Sequence, residues 1–119
     1  MAKYTLMLRE SGRAFANLSP SEMQAIFARY GAWSDGLRKA GTLGPSEKLT
    51  DGAGRVMRRT NGKVMVTDGP FTEGKEVLGG FFTIEAVSYD KAIEIANTCP
   101  HLDFGSIEVR EVEAMPARV

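Results

Sequence analysis

Soft metal ligands are nearly missing from this 119-residue chain, which holds one cysteine, Cys99, and one histidine, His101. A single thiol rules out an internal disulfide, and the pair is too few for a zinc site, so neither metal nor cofactor is expected. An excess of one charge is lacking too, because fifteen basic residues face fifteen acidic ones. With no net field to draw a polyanion, nucleic acid and anionic membrane are not expected partners. No apolar run approaches the roughly 20 residues of a membrane span, and the amino end shows no signal-peptide stretch. A cytoplasmic protein is expected. The Gly79-Gly80 pair lacks the spacing and the following helix of a phosphate-binding loop, so nothing supports nucleotide binding.

What is present suits one domain over residues 1–119, with 43% hydrophobic and 25% charged residues. Tyr4, Leu6 and Leu8 alternate with Thr5 and Met7, which predicts a strand over Lys3 to Arg9 buried mainly on one face. Ser19-Pro20-Ser21-Glu22 reads as a helix start, with a serine cap, a proline at the first helical position and a glutamate closing a capping box. Met23, Ile26, Phe27, Tyr30, Trp33 and Leu37 then follow at helical spacing, and Gly41 marks the stop. Thr42 to Gly54 is rich in Gly, Pro, Ser and Asp and reads as a loop, with at most a short extended piece near Leu49. Arg55 to Thr60 and Lys63 to Thr67 flank Asn61-Gly62, the signal of a tight hairpin. Gly80 to Val87 predicts a strand. Ser88 caps a second helix carrying Ala92, Ile93, Ala96 and Cys99, Pro100 closes it, and Ser106 to Val112 makes a last strand.

This order predicts an α+β fold, a ferredoxin-like sandwich with an antiparallel sheet and two helices on one face. The other face is left open. Met57, Met65, Phe81, Phe82 and Ile84 supply more apolar surface than two helices cover, which points to a homodimer through that open face.

Between two of the strands lies Val66-Thr67-Asp68-Gly69-Pro70-Phe71-Thr72-Glu73-Gly74-Lys75-Glu76, a connection with far more chemistry than a hairpin turn needs. Decorated loops of this kind commonly carry function. Asp68 is a candidate general base, since a carboxylate at a strand end facing a cleft has its pKa raised by partial burial; the same residue type also caps a Gly-Pro turn. Phe71 fits either an aromatic wall for a planar ligand or a loop anchor. His101 is the one side chain that ordinarily titrates near neutral pH, a candidate acid or base, and equally a surface or capping residue. Glu73 and Lys75 are candidate ligand contacts and otherwise solvated charges. Tyr30 and Trp33 are candidate pocket residues between helix and sheet, Trp33 fitting a buried core stripe better. Cys99 reads as a small buried apolar residue.

The run Val66-Thr67-Asp68-Gly69-Pro70-Phe71, with Lys75-Glu76, Leu78-Gly79-Gly80-Phe81 and Ser106-Ile107-Glu108-Val109-Arg110, closely resembles the YCII-related proteins of the DGPF type. The resemblance covers essentially the whole chain. It implies a ferredoxin-like fold pairing into a dimeric α+β barrel, with a cleft bordered by the DGPF loop. Some relatives in the wider group use a histidine and an aspartate in lyase-like chemistry; here Tyr30 falls near the histidine's place, and Cys99-Pro100-His101 stands where Asp-Pro-Tyr is frequent. The resemblance further implies a link to extracytoplasmic-function sigma factors. Two classes of function therefore stand: a small-molecule lyase or isomerase working by proton transfer with Asp68 and His101, and a non-catalytic ligand-binding or regulatory module.

Overall fold

Alternation along the first residues builds β1 (Ala2–Ser11), with Tyr4, Leu6 and Leu8 turned inward and buried. The structure is a computed structural model that describes residues 1–51, 54–69 and 76–116. The helix α1 (Pro20–Lys39) opens on the capping box that the sequence predicts: the Ser19 hydroxyl accepts from the Glu22 amide, and the Glu22 carboxylate accepts from the Ser19 amide. Gly41 follows its last turn at φ 74°, a left-handed position suited to glycine.

Residues 43–48, expected to be loop, form a strand, β2 (Leu43–Lys48), paired antiparallel with β5 (Glu76–Ala86). Pro45 explains the misreading. It cannot donate to a ladder, yet an edge strand tolerates it on its unpaired side, and the register shifts between Leu43 and Ser46 where it sits. β3 (Arg55–Thr60) and β4 (Lys63–Asp68) form the hairpin around Asn61 and Gly62, both at positive φ as a primed turn requires. The strand β5 begins at Glu76, ahead of the Gly80 start read from sequence. The second helix, α2 (Tyr89–Ala96), is capped by Ser88, whose hydroxyl accepts from the Lys91 amide. It ends before Cys99, and Pro100 opens a separate 3-10 turn (Pro100–Asp103) that leads into β6 (Gly105–Val112).

The main sheet has the order β2-β5-β1-β6 and is antiparallel throughout, while β3 and β4 form a second, two-stranded sheet. Tyr4, Leu6, Ile84 and Ala86 of the sheet pack with Ala92 and Ala96 of α2, and Trp33 and Leu37 of α1 join them. Both helices thus cover one face, a mixed α+β arrangement compatible with a ferredoxin-like sandwich. Phe82 and Ile84 lie on this covered face, opposite Leu6 and Tyr4, and the Trp33 and Phe82 rings meet edge to face at 5.0 Å. They are therefore not open-face residues as expected; alternation leaves that role to Met7 and Phe81, which are cross-strand partners. Met57 and Met65 belong to the hairpin. Among the described residues, no helix is long and apolar enough to cross a membrane.

Candidate functional site

One end of β1 carries the chemistry. Inward alternation continues past Leu8 to Glu10, so a carboxylate arrives on the buried face where the sequence pattern would place a fourth apolar residue. Opposite it the register with β5 slips: Leu8 pairs with Gly80 and Arg9 with Leu78, leaving Gly79 as the extra residue of a bulge. A Cβ on Gly79 would lie 1.8 Å from Glu10 Oε1, so the bare glycine is what makes room for the carboxylate. Gly80 does the same for the backbone of β2, because its Cβ would stand 2.8 Å from the Glu47 carbonyl oxygen.

His101 reaches the same place from the 3-10 turn and is buried, with 1% of its surface exposed. Its Nε2 lies 2.9 Å from the Arg9 carbonyl oxygen. A carbonyl only accepts, so Nε2 carries the proton. In the neutral ring Nδ1 is then the acceptor, and the Tyr30 hydroxyl donates to it across 2.8 Å. Glu10 Oε2 stands 3.6 Å from Nε2, close enough to form an ion pair should the ring gain a second proton. Gly105 shapes this contact too: a Cβ there would fall 2.0 Å from the same Arg9 oxygen.

Burial dominates the electrostatics. It pushes the Glu10 carboxyl above its usual value, with the repulsion of Asp51 and Glu76 adding and the His101 and Lys48 charges opposing. Burial also lifts the Tyr30 hydroxyl well above the usual phenol range, helped by the nearby Cys99 and Glu10, so Tyr30 keeps its proton. The Cys99 thiol is raised by burial and is no nucleophile at neutral pH.

Glu10, Tyr30 and His101 line one wall of a cavity of about 330 Å³ whose other walls are mainly apolar, formed by Leu8, Phe15, Phe27, Leu43 and Phe82. Few but convergent polar groups in an apolar pocket of this size are the usual makings of a small-molecule site. Lys48 and Arg38 also line it, but Lys48 is paired with Asp51 at 3.1 Å and Arg38 with Asp35. Among the described residues no group of three His, Cys, Asp or Glu could hold a metal ion.

Of the residues singled out in the sequence, Tyr30 and His101 are thus brought into direct contact, although 71 positions apart. Asp68 ends β4 with its side chain 86% exposed, 3.5 Å from Arg55, and is not among the residues lining the cavity. Phe71, Glu73 and Lys75 lie outside the described residues. Glu10 was missed from sequence, although the period of two through Tyr4, Leu6 and Leu8 points position 10 inward.

A family model described as the YCII-related domain matches residues 2–116. An uncharacterised protein of Rhizobium meliloti (strain 1021) is 40% identical over 75 residues, which is 60% of this chain and 60% of that protein.

Proposed function

The chain belongs to the YCII-related domain family, and from the geometry at the end of β1 we propose that it binds a small, largely apolar carbonyl compound and moves a proton on it. The observation that carries this reading is the Glu10, His101 and Tyr30 cluster at the wall of an apolar cavity. Glu10 is the base: a carboxylate whose pKa is raised toward the working pH is a better proton acceptor than an exposed one. Tyr30 orients the ligand. While His101 is neutral, the phenol proton is engaged by Nδ1 and its oxygen offers lone pairs to a ligand donor. A ligand oxygen that replaces Nδ1 as the acceptor of the phenol proton would occupy the position of an enolate as it forms. The reaction class is an isomerisation or elimination at carbon next to a carbonyl, with no covalent intermediate.

Deuterium incorporation tests it without knowledge of the physiological substrate. A panel of small apolar ketones and keto acids is incubated with the protein in D2O, and exchange at the carbon beside the carbonyl is followed by NMR. Catalysed exchange is expected with the wild type and with Asp68→Asn, and a loss of ~100-fold or more with Glu10→Gln. Exchange that survives in Glu10→Gln but disappears in Asp68→Asn would transfer the base to the loop and refute the assignment.

A further inference from the structure

Charge along the cavity is unbalanced. Two cations, Arg38 and Lys48, line it together with the Glu10 carboxylate. Glu47 belongs to the lining too, but it lies opposite Phe81, on the open face of the sheet, and meets Gly80 through its backbone carbonyl rather than its charge. Asp35 and Asp51, the partners of the two cations, are not among the lining residues. A concave apolar surface with surplus positive charge favours an anion.

Lys48 is the cation at the reacting end. Lys48, Gly80 and Leu8 form one row across β2, β5 and β1, so Lys48 leaves the sheet on the face that carries Leu8 and, two residues on, Glu10. Gly80 has no side chain to part them, and the Lys48 charge bears on the Glu10 carboxyl. Arg38 stands eight residues beyond Tyr30 on α1, about 12 Å along the helix axis, and serves the far end. The Lys48 ammonium is also lightly held. It donates to the Leu49 carbonyl oxygen at 2.9 Å and to Asp51 at 3.1 Å, which among the described residues engages two of its three N–H bonds. The Asp51 side chain is 91% exposed, and an ion pair so open to water is readily exchanged for another anion.

We propose that Lys48 is a specificity residue that holds the carboxylate of the ligand, so that the cavity takes an α-keto acid in preference to a neutral ketone. This deepens, and rests on, the reading of the cavity as a site for a carbonyl compound. The length is set by the sheet: an anion on Lys48 leaves only a few bonds to the carbon whose proton Glu10 takes. In an α-keto acid the carboxylate and that carbon flank the carbonyl, whose oxygen is then left for Tyr30.

Two probes of nearly equal shape test this by calorimetric titration of the full chain at neutral pH, with thermal melts to verify folding. Trimethylpyruvate and pinacolone differ in a carboxylate against a methyl group. Trimethylpyruvate has no hydrogen on the carbon beside its carbonyl, so its binding is read without proton transfer. The wild type is expected to bind trimethylpyruvate ~10-fold or more tightly than pinacolone, the usual worth of a hydrogen bond to a charged group. Lys48→Met should abolish that preference without weakening pinacolone, and Lys48→Arg should keep most of it. Asp51→Asn, which removes the competing carboxylate, should tighten trimethylpyruvate ~3-fold and leave pinacolone unchanged. Equal affinity of the wild type for the two probes, or no binding of trimethylpyruvate, would overturn the proposal. So would a preference that survives in Lys48→Met or disappears in Lys48→Arg. A preference that behaves as expected without deuterium exchange would refute the proton transfer alone, whereas exchange on neutral ketones without the preference would refute the role of Lys48 alone.

Discussion

Adding one methyl group at Gly79 separates the position of the Glu10 carboxylate from the stability of the fold. In Gly79→Ala the new Cβ would sit 1.8 Å from Glu10 Oε1, 2.7 Å from its Cδ and 2.8 Å from Oε2. All three atoms are the far end of a flexible side chain, so the carboxylate rotates away while the backbone stays. The cost is that of a displaced rotamer and mild overpacking, about 1 kcal/mol, or about 3–6 °C in melting temperature for a domain of this size. The effect on the site is larger. The carboxylate leaves the burial that raises its pKa, and a carboxyl-carbon NMR titration should find Glu10 back near the ordinary glutamate range. Gly105→Ala is the contrasting control: its Cβ would meet the Arg9 carbonyl oxygen at 2.0 Å, and backbone cannot swing aside without parting β1 from β6. Its cost is about 3 kcal/mol or more. The reasoning fails if Gly79→Ala leaves the Glu10 titration where it was, or if it melts as low as Gly105→Ala.

Two further outcomes follow from the same geometry. The Glu10 carboxyl titrates above its unfolded value, so folding favours the protonated form; that stability is complete below the unfolded pKa and is lost as pH rises through the folded one. Glu10→Gln, which stays neutral, should match the wild type at about pH 4 and be the more stable protein at about pH 8, by urea unfolding; a gap independent of pH would contradict the sign. Tyr30→Phe removes the donor to His101 Nδ1 and leaves a buried acceptor unmatched, a loss of about 1–2 kcal/mol in chemical denaturation, whereas an unchanged stability would mean that the 2.8 Å contact is not a hydrogen bond.

Most of the fold was legible because its signals are local. The Ser19 to Glu22 capping box, the Asn61-Gly62 turn and the alternation from Tyr4 to Leu8 each reside within a few residues, and each appears where the sequence places it. β2 escaped because a proline near a glycine reads as a loop, and only pairing with β5 shows it to be an edge. The site was harder to see for a different reason. His101 meets Arg9 across 92 positions, and does so through a carbonyl that every residue possesses. No residue type signals such a contact. Asp68 drew attention because unusual turn chemistry surrounds it, while Glu10 fell just past the strand predicted over Lys3 to Arg9, and only the gap at Gly79 marks it as a berth for a carboxylate.

Arg9 belongs to both sides of the sheet at once. Its carbonyl oxygen receives the His101 proton on the cavity side, while its guanidinium reaches Glu108 at 3.3 Å on the open side. The peptide that aims the imidazole and the side chain that dresses the outer face are parts of one residue, beside a bulge where the ladder is least constrained. A load applied to the outer face of β1 there is transmitted to the ring through a single backbone unit rather than through a chain of packed neighbours.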